Sequence, residues 1–322
     1  MRKVQIEKPG SLAVVEAPEP VAAGRQVVVR SEMVGICHSD IEVIDGHFIT
    51  PVTYPLTPGH EWVGRVVATG PDASRFAVGD RVVGDCRVGD NDYFGLNLDG
   101  AASELFLADE NWLYPVPDGF SAHSAALIEP FTVGYYGISV HGPLKPGSQV
   151  LVLGGGPIGL CCLAAATGMG AEVTLVDPVE RRREVARDLG AKATFAPGDN
   201  LHEAVLDEIG GLGADLVLEA SGAAPAMADA LHLVRQFGQV TYIGFNIGQQ
   251  VTSELGLIQS KDLTVRGITG SPGVWPAAIE LLERAEIDLT PLVTSVFSLE
   301  EAPAAYERVR TGQDIKVHVS FA

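Results

Sequence analysis

Cysteine, tryptophan and positive charge are all scarce in this chain of 322 residues, and each scarcity excludes something. Four cysteines (Cys37, Cys86, Cys161, Cys162) are too few for a disulfide framework, and the adjacent pair Cys161–Cys162 could bridge only with strain. A reduced, cytoplasmic protein is the expectation. Lys and Arg number 22 against 41 Asp and Glu, a formal charge of −19. The clustered cations that grip nucleic acid or an anionic membrane are therefore missing, and neither partner is expected. No run of about 18 apolar residues is free of charges and turn formers, so no membrane span is expected. Met1–Glu7 has no apolar stretch of the kind a secretory signal needs.

What is present is enough apolar material for large cores: 46 % hydrophobic residues against 20 % charged. At roughly 150 residues per domain the length suggests two domains. The texture changes along the chain. Up to about Gly119 it reads as short β-branched or aromatic runs, among them Val27–Arg30, Val63–Val67, Arg81–Val83 and Leu105–Leu107, separated by Gly and Pro breakers. That part looks all-β. From Gln149 onward strands and helices alternate, with apolar strands at 149–153, 172–176, 215–218 and 239–243. Such alternation implies a parallel sheet with right-handed crossovers. A helix at 275–285, a segment at 299–310 and a terminal strand at 315–320 follow.

The strand at 149–153 runs into Gly154-Gly155-Gly156-Pro157-Ile158-Gly159, a G-x-G-x-x-G turn that opens a helix. The bare pattern is weak in a chain with 37 glycines, but the strand–turn–helix context strengthens it. Gly154 allows the tight turn, Gly156 lets a pyrophosphate approach the backbone, and Gly159 lets helix and strand pack closely. The opening turn of the helix, Pro157 and Ile158, offers its positive dipole end to phosphate. Asp177 ends the next strand, 18 residues beyond Gly159, where a carboxylate accepts from both ribose hydroxyls. It would repel a 2′-phosphate, and Pro178 rather than arginine follows it, so NAD(H) is expected over NADP(H).

A second constellation carries metal chemistry. Cys37-His38-Ser39-Asp40 follows one strand and Gly59-His60-Glu61 precedes another. Thiolate, imidazole and carboxylate form a zinc donor set, and a catalytic zinc keeps one position open. Taken singly, Cys37 reads as a buried thiol and His60 as a core histidine.

The order of Gly35-Ile36-Cys37-His38-Ser39-Asp40, Gly59-His60-Glu61, Gly79-Asp80-Arg81-Val82, Glu129-Pro130 and the glycine turn resembles the zinc-dependent medium-chain dehydrogenase/reductase superfamily over about residues 1–320. It looks most like the polyol branch, that of sorbitol and threonine dehydrogenases. The resemblance implies an α/β fold, with a GroES-like β domain at 1–128 completed by 269–322 and a doubly wound Rossmann domain at 129–268. It implies one catalytic zinc held by Cys37, His60 and Glu61, with Glu129 facing or ligating it. Ser39 matches the hydroxyl that takes the alcohol proton, and Asp40 the carboxylate behind the ligand histidine. His38 matches a position that some members turn toward the cofactor pyrophosphate. Glu42 stands where many members carry a proton-passing histidine, and it reads equally well as a surface carboxylate. The segment 85–99 holds only Cys86, so no four-cysteine structural zinc is expected. The implied activity is zinc- and NAD-dependent interconversion of a secondary alcohol (polyol, sugar or cyclitol) and its ketone, in a homodimer or homotetramer paired through 263–266. Two rival readings, a zinc-free quinone or enone reductase and a non-catalytic nucleotide-binding protein, would each need the Cys37/His60/Glu61 set or Ser39 to be broken.

Overall fold

In a computed structural model describing residues 1–117, 119–245 and 247–321, the chain forms two units, one of Met1–Glu129 with Leu289–Ala322 and one of Pro130–Asp288. The first unit opens with β1 (Arg2–Lys8), β2 (Ser11–Glu16), β3 (Gln26–Ile36), α1 (His38–Asp45), β4 (Glu61–Thr69), β5 (Arg81–Gly84), β6 (Leu105–Asp109), β7 (Leu113–Pro115) and α2 (Ala122–Ala126). The division between units falls inside α3 (Ile128–Ser139). The second unit continues with β8 (Gln149–Leu153), α4 (Pro157–Gly168), β9 (Glu172–Val176), α5 (Glu180–Asp188), β10 (Ala193–Phe195), α6 (Leu201–Glu208), β11 (Ala214–Glu219), α7 (Ala224–Leu233), β12 (Val234–Tyr242), α8 (Gly256–Ser260), β13 (Thr264–Gly267) and α9 (Trp275–Arg284). The chain then returns to the first unit with β14 (Val293–Ser298), α10 (Ala302–Arg310) and β15 (Lys316–Ser320).

In the first unit a mixed sheet runs β14-β15-β3-β4-β5-β7, with β6 paired to β3. Strand β3 is central and buried along most of its length, as its run Val27-Val28-Val29 and Met33–Ile36 requires. Its core centres on Trp62, whose indole meets Phe106 edge-on at 4.8 Å between ring centroids. The terminal strand β15 inserts beside β3, so the sheet is complete only with the last part of the chain. This is the GroES-like β domain.

The first unit is not all-β. Helix α1 is seeded by a reciprocal capping box: Cys37 caps the helix, and the Asp40 carboxylate accepts the Cys37 N–H at 2.8 Å. Gly46, in the left-handed region at φ 74°, closes it. Serine, threonine or aspartate is the usual cap, so a cysteine cap leaves a weak sequence signal.

The second unit is a six-stranded, all-parallel sheet in the order β10-β9-β8-β11-β12-β13. This doubly wound order reverses direction between β8 and β11, beside the carboxyl end of β8, where such sheets bind ligands. Residues 150–153 are buried on both faces, which is why β8 reads as an unbroken apolar run. Helix α4 is buried around its circumference from Gly159 to Ala166, and its Gly, Ala and Cys residues allow that close fit.

The return to the first unit comes at Leu289, later than the expected 269, and residues 269–288 belong to the second unit. Helix α9 packs on α4, burying Trp275, Leu281 and Leu282. A Cβ at Gly168 would lie 2.7 Å from Ile287 Cδ1, so this segment is fitted to α4 down to a missing methyl. Among the described residues no helix is long and apolar enough to cross a membrane.

Candidate metal centre and dinucleotide turn

The metal-ligand candidates are assembled by strand register. Strands β3 and β4 are antiparallel, with Gly35 opposite Glu61. Cys37 is the first residue beyond β3 and Glu61 the first residue of β4, so residues far apart in sequence meet at one end of the pair. Gly59 has φ +102°, and a Cβ there would sit 2.9 Å from Val34 Cγ1 and 3.0 Å from the Ala102 amide nitrogen. Only glycine fits this turn, which feeds His60 and Glu61 into the site. Ligand atoms of Cys37, His60 and Glu61 all lie within 4.8 Å of one another. A tetrahedral zinc with bonds of about 2.0–2.3 Å needs donors roughly 3.5 Å apart, a gap that rotamer adjustment closes. His60 and Glu61 are buried and Cys37 is half-buried. The donor set and its spacing fit zinc.

Behind the ligands, Asp40 is wholly buried and spans two of them. One oxygen accepts the Cys37 N–H at 2.8 Å, and the other lies 3.4 Å from His60 Nδ1. With Nδ1 facing this carboxylate, Nε2 is the nitrogen left for a metal. Ser39 is half-buried on the first turn of α1 between Cys37 and Asp40, while His38 is exposed beside it. Glu42 is half-buried one turn on, and its carbonyl accepts the Gly46 N–H. Glu129 begins α3. Burial pushes its carboxyl up to about 7, with Glu61 adding to the rise and His60 opposing it. Burial also raises the Cys86 thiol, which donates to the Phe94 carbonyl at 3.6 Å; Cys86 is not among the clustered ligands.

Sequence reading missed a basic wall to this site. Lys316 Nζ donates to both oxygens of Glu61, and His318 lies two residues further along β15. The signal was available: in Lys316-Val317-His318-Val319 the polar residues occupy one face of a buried strand.

In the second unit the glycine turn behaves as its pattern implies. Gly154 has φ +102°, with Ser221 Cβ 2.8 Å from where its own Cβ would stand. A Cβ on Gly159 would come 1.8 Å from the Gly154 carbonyl oxygen, which no side chain tolerates. A Cβ on Gly156 would meet nothing within 4 Å, so that face of the turn is open. Gly156 caps α4 with no side chain, and Pro157 follows at the first helical turn ahead of Ile158 and Gly159. This open backbone at a helix N-terminus fits a dinucleotide pyrophosphate. Asp177 is buried, and its two oxygens accept the Gly155 N–H at 2.7 Å and the Val179 N–H at 2.8 Å. Each oxygen keeps a second lone pair. Arg182 stands 3.7 Å away, while Arg183 donates to the Asp177 carbonyl and to Glu180.

Two family models match the chain: an alcohol dehydrogenase GroES-like domain over residues 23–118 and a zinc-binding dehydrogenase over residues 157–284. A sorbitol dehydrogenase of Halalkalibacterium halodurans is 31 % identical over 96 % of this chain and 95 % of its own length. A structure described as a zinc-binding dehydrogenase of Sinorhizobium meliloti 1021, bound to NADP, superposes with a TM-score of 0.91 at 29 % identity, covering 99 % of this chain and 98 % of the other. An alcohol dehydrogenase of Escherichia coli CFT073 complexed with NADH gives a TM-score of 0.89 at 25 % identity, covering 99 % of each.

Proposed function

Because the chain belongs to the zinc-type medium-chain dehydrogenase family, in its polyol branch, we propose that this oxidoreductase interconverts a secondary alcohol (a polyol, sugar or cyclitol) and its ketone with NAD(H). The observation that carries the reading is the clustering of Cys37, His60 and Glu61 where β3 ends and β4 begins, a donor set with a carboxylate where a purely structural site would have a thiolate. A polyol substrate accords with the sorbitol-acting relative.

Bound zinc supplies Lewis acidity, which lowers the pKa of a substrate alcohol. Cys37, His60 and Glu61 would hold it, one ion per subunit, with water or Glu129 as the fourth ligand. Asp40 keeps the His60 ring turned by facing its Nδ1. The Ser39 hydroxyl accepts the alcohol proton and passes it outward, with Glu42 one turn along the same helix as the next acceptor. A bound nicotinamide would supply the hydride-accepting chemistry. The turn Gly154–Gly159 would hold its pyrophosphate, and Asp177 would take the ribose hydroxyls. Pairing of subunits through strand β13 is supported by its place at the edge of the six-stranded sheet, where β12 is its one strand neighbour among the described residues.

NADP(H) is the second reading, favoured by Arg182 beside Asp177 and by the NADP in one similar structure. One experiment decides both points. Metal content and initial rates with NAD⁺ and NADP⁺ are measured on the purified protein against a panel of polyols, sugars, cyclitols and simple alcohols. One zinc per subunit, a polyol-class substrate and a preference for NAD⁺ that Asp177→Ser weakens are expected. A metal-free active enzyme sinks the zinc reading, and a native preference for NADP⁺ sinks the role given to Asp177.

A further inference from the structure

The second unit holds a buried carboxylate that the proposed chemistry leaves unused. Glu219 ends β11, paired with Leu153 of β8 on one side and Tyr242 of β12 on the other, and it is 0 % exposed. A single oxygen, Oε1, gathers three donors from the turn that follows. They are the Ser221 N–H at 2.8 Å, the Ser221 hydroxyl at 2.5 Å and the Gly222 N–H at 3.0 Å. The same hydroxyl accepts the N–H of Ala223, the cap of α7, at 3.0 Å. Burial raises the carboxyl above its ordinary value, and the bonds from Ser221 and Gly222 oppose the rise.

The turn so held stands where the sheet changes direction. Strands β8 and β11 are neighbours there, and a doubly wound sheet takes its ligand in the crevice between the turns that leave such a pair. Gly154 opens one of these turns and Ser221-Gly222 forms the other. The two touch at their base: a Cβ on Gly154 would lie 2.8 Å from Ser221 Cβ and 2.9 Å from the Ser221 amide nitrogen. The Ala220 N–H donates to the Leu153 carbonyl at 2.9 Å, directly before the glycines. On its far side the turn meets the one that leaves β12. Gly222 has φ +68°, and a Cβ on Gly244 would come 2.1 Å from the Gly222 amide nitrogen. Glycines thus let three turns pack backbone to backbone, and Glu219 folds the middle one.

We propose that Glu219 is a positioning residue for dinucleotide binding: through Oε1 it fixes the Ser221-Gly222 turn as the second wall of the crevice that Gly154–Gly159 opens. The role rests on the reading of that crevice as the cofactor site. Three bonds to one oxygen fold the turn before any cofactor arrives, so binding does not have to order it. A turn folded only about a tenth of the time would bind about tenfold more weakly.

The turn and the cofactor are measured separately. Amide hydrogen exchange in the cofactor-free full chain, followed by NMR, should be about tenfold faster or more at Ser221 and Gly222 in Glu219→Ala. NADH should bind that variant about tenfold more weakly in a fluorescence titration, with zinc content unchanged. Glu219→Gln should recover most of both losses, because its amide oxygen takes the place of Oε1 for the Ser221 donors. Unchanged exchange in Glu219→Ala overturns the proposal, and so does undiminished NADH affinity beside faster exchange. A Glu219→Gln variant as impaired as Glu219→Ala would assign the effect to charge and overturn the positioning role. If Glu219→Ala fails to fold, Ser221→Ala decides by the same two readouts, since it keeps the Cβ against Gly154 and loses only the hydroxyl. Failure of the unaltered protein to bind either NADH or NADPH would instead remove the cofactor reading, and with it this role.

Discussion

Lys316 Nζ lies 2.6 and 2.8 Å from the two carboxylate oxygens of Glu61, and the two side chains are only 2 % and 1 % exposed. The ammonium also donates to the Ile36 carbonyl at 3.3 Å, one residue before Cys37. Each charge is costly to bury alone, and each is tolerated because the other is there.

Removing one partner should therefore cost far more than removing both. Lys316→Met is expected to destabilise the metal-free protein by about 3–5 kcal/mol, and Lys316→Met/Glu61→Gln by clearly less. Urea unfolding of the two variants in chelator measures this. Equal losses in the single and double variants would show that the stranded Glu61 carboxylate is not what makes Lys316→Met costly.

Proton handling and metal binding should separate at neighbouring residues. Ser39→Ala is expected to lower kcat about 10²–10⁴-fold while zinc stays near one per subunit, because Cys37, His60 and Glu61 are untouched. Cys37→Ser should lose the metal and most activity while keeping the far-ultraviolet circular dichroism, since a catalytic zinc contributes less to folding than a structural one. Near-full activity of Ser39→Ala on the best substrate would shift the proton to Glu42 or solvent.

How much of this was legible in the sequence depends on how local the information is. The run Val150–Leu153 and the glycines after it are read in place, because a doubly buried strand must be apolar and Gly159 must lack a side chain. The meeting of Cys37 with His60 and Glu61 is set by the β3–β4 register, which spacing does not encode. Only the resemblance to a family supplied it. Lys316 and His318 join the site from 255 and 257 residues beyond Glu61, so no window of sequence holds both sides. The late return at Leu289 was hidden because the apolar face of α9 would suit either unit equally well.

Two glycines of the dinucleotide turn should fail in opposite ways. Gly159→Ala drives a methyl to within 1.8 Å of the Gly154 carbonyl, so β8 and α4 must separate. A loss of several kcal/mol, about the upper range for overpacking, is expected in thermal unfolding. Gly156→Ala meets nothing within 4 Å and should leave the melting temperature close to that of the unaltered protein. Its methyl would instead occupy the face left open for pyrophosphate, weakening NADH binding in a fluorescence titration. Undiminished NADH affinity in Gly156→Ala would place the nucleotide elsewhere.

His141 gives the second unit a pH dependence whose sign is fixed by its hydrogen bonds. The Thr241 hydroxyl donates its one proton to the Gly137 carbonyl at 2.8 Å, so it must accept from His141 Nε2–H, also at 2.8 Å. The imidazole is held neutral there: burial first, and Arg266 second, lower its pKa below the ordinary value near 6.5. A folded-state pKa below the unfolded one means that the unfolded chain binds the proton more readily. The contribution is fully present above about pH 6.5 and is lost as the pH falls through the folded-state value. Urea midpoints should therefore drop between about pH 7 and pH 5 more steeply in the unaltered protein than in His141→Gln, which keeps an N–H donor but does not titrate. Arg266→Leu removes the repelling cation and should reduce the drop without abolishing it, because burial is the larger cause. Both proteins are compared at the same metal content, so the other histidines cancel. A His141→Gln profile parallel to that of the unaltered protein would mean that this imidazole does not titrate differently in the folded and unfolded chains.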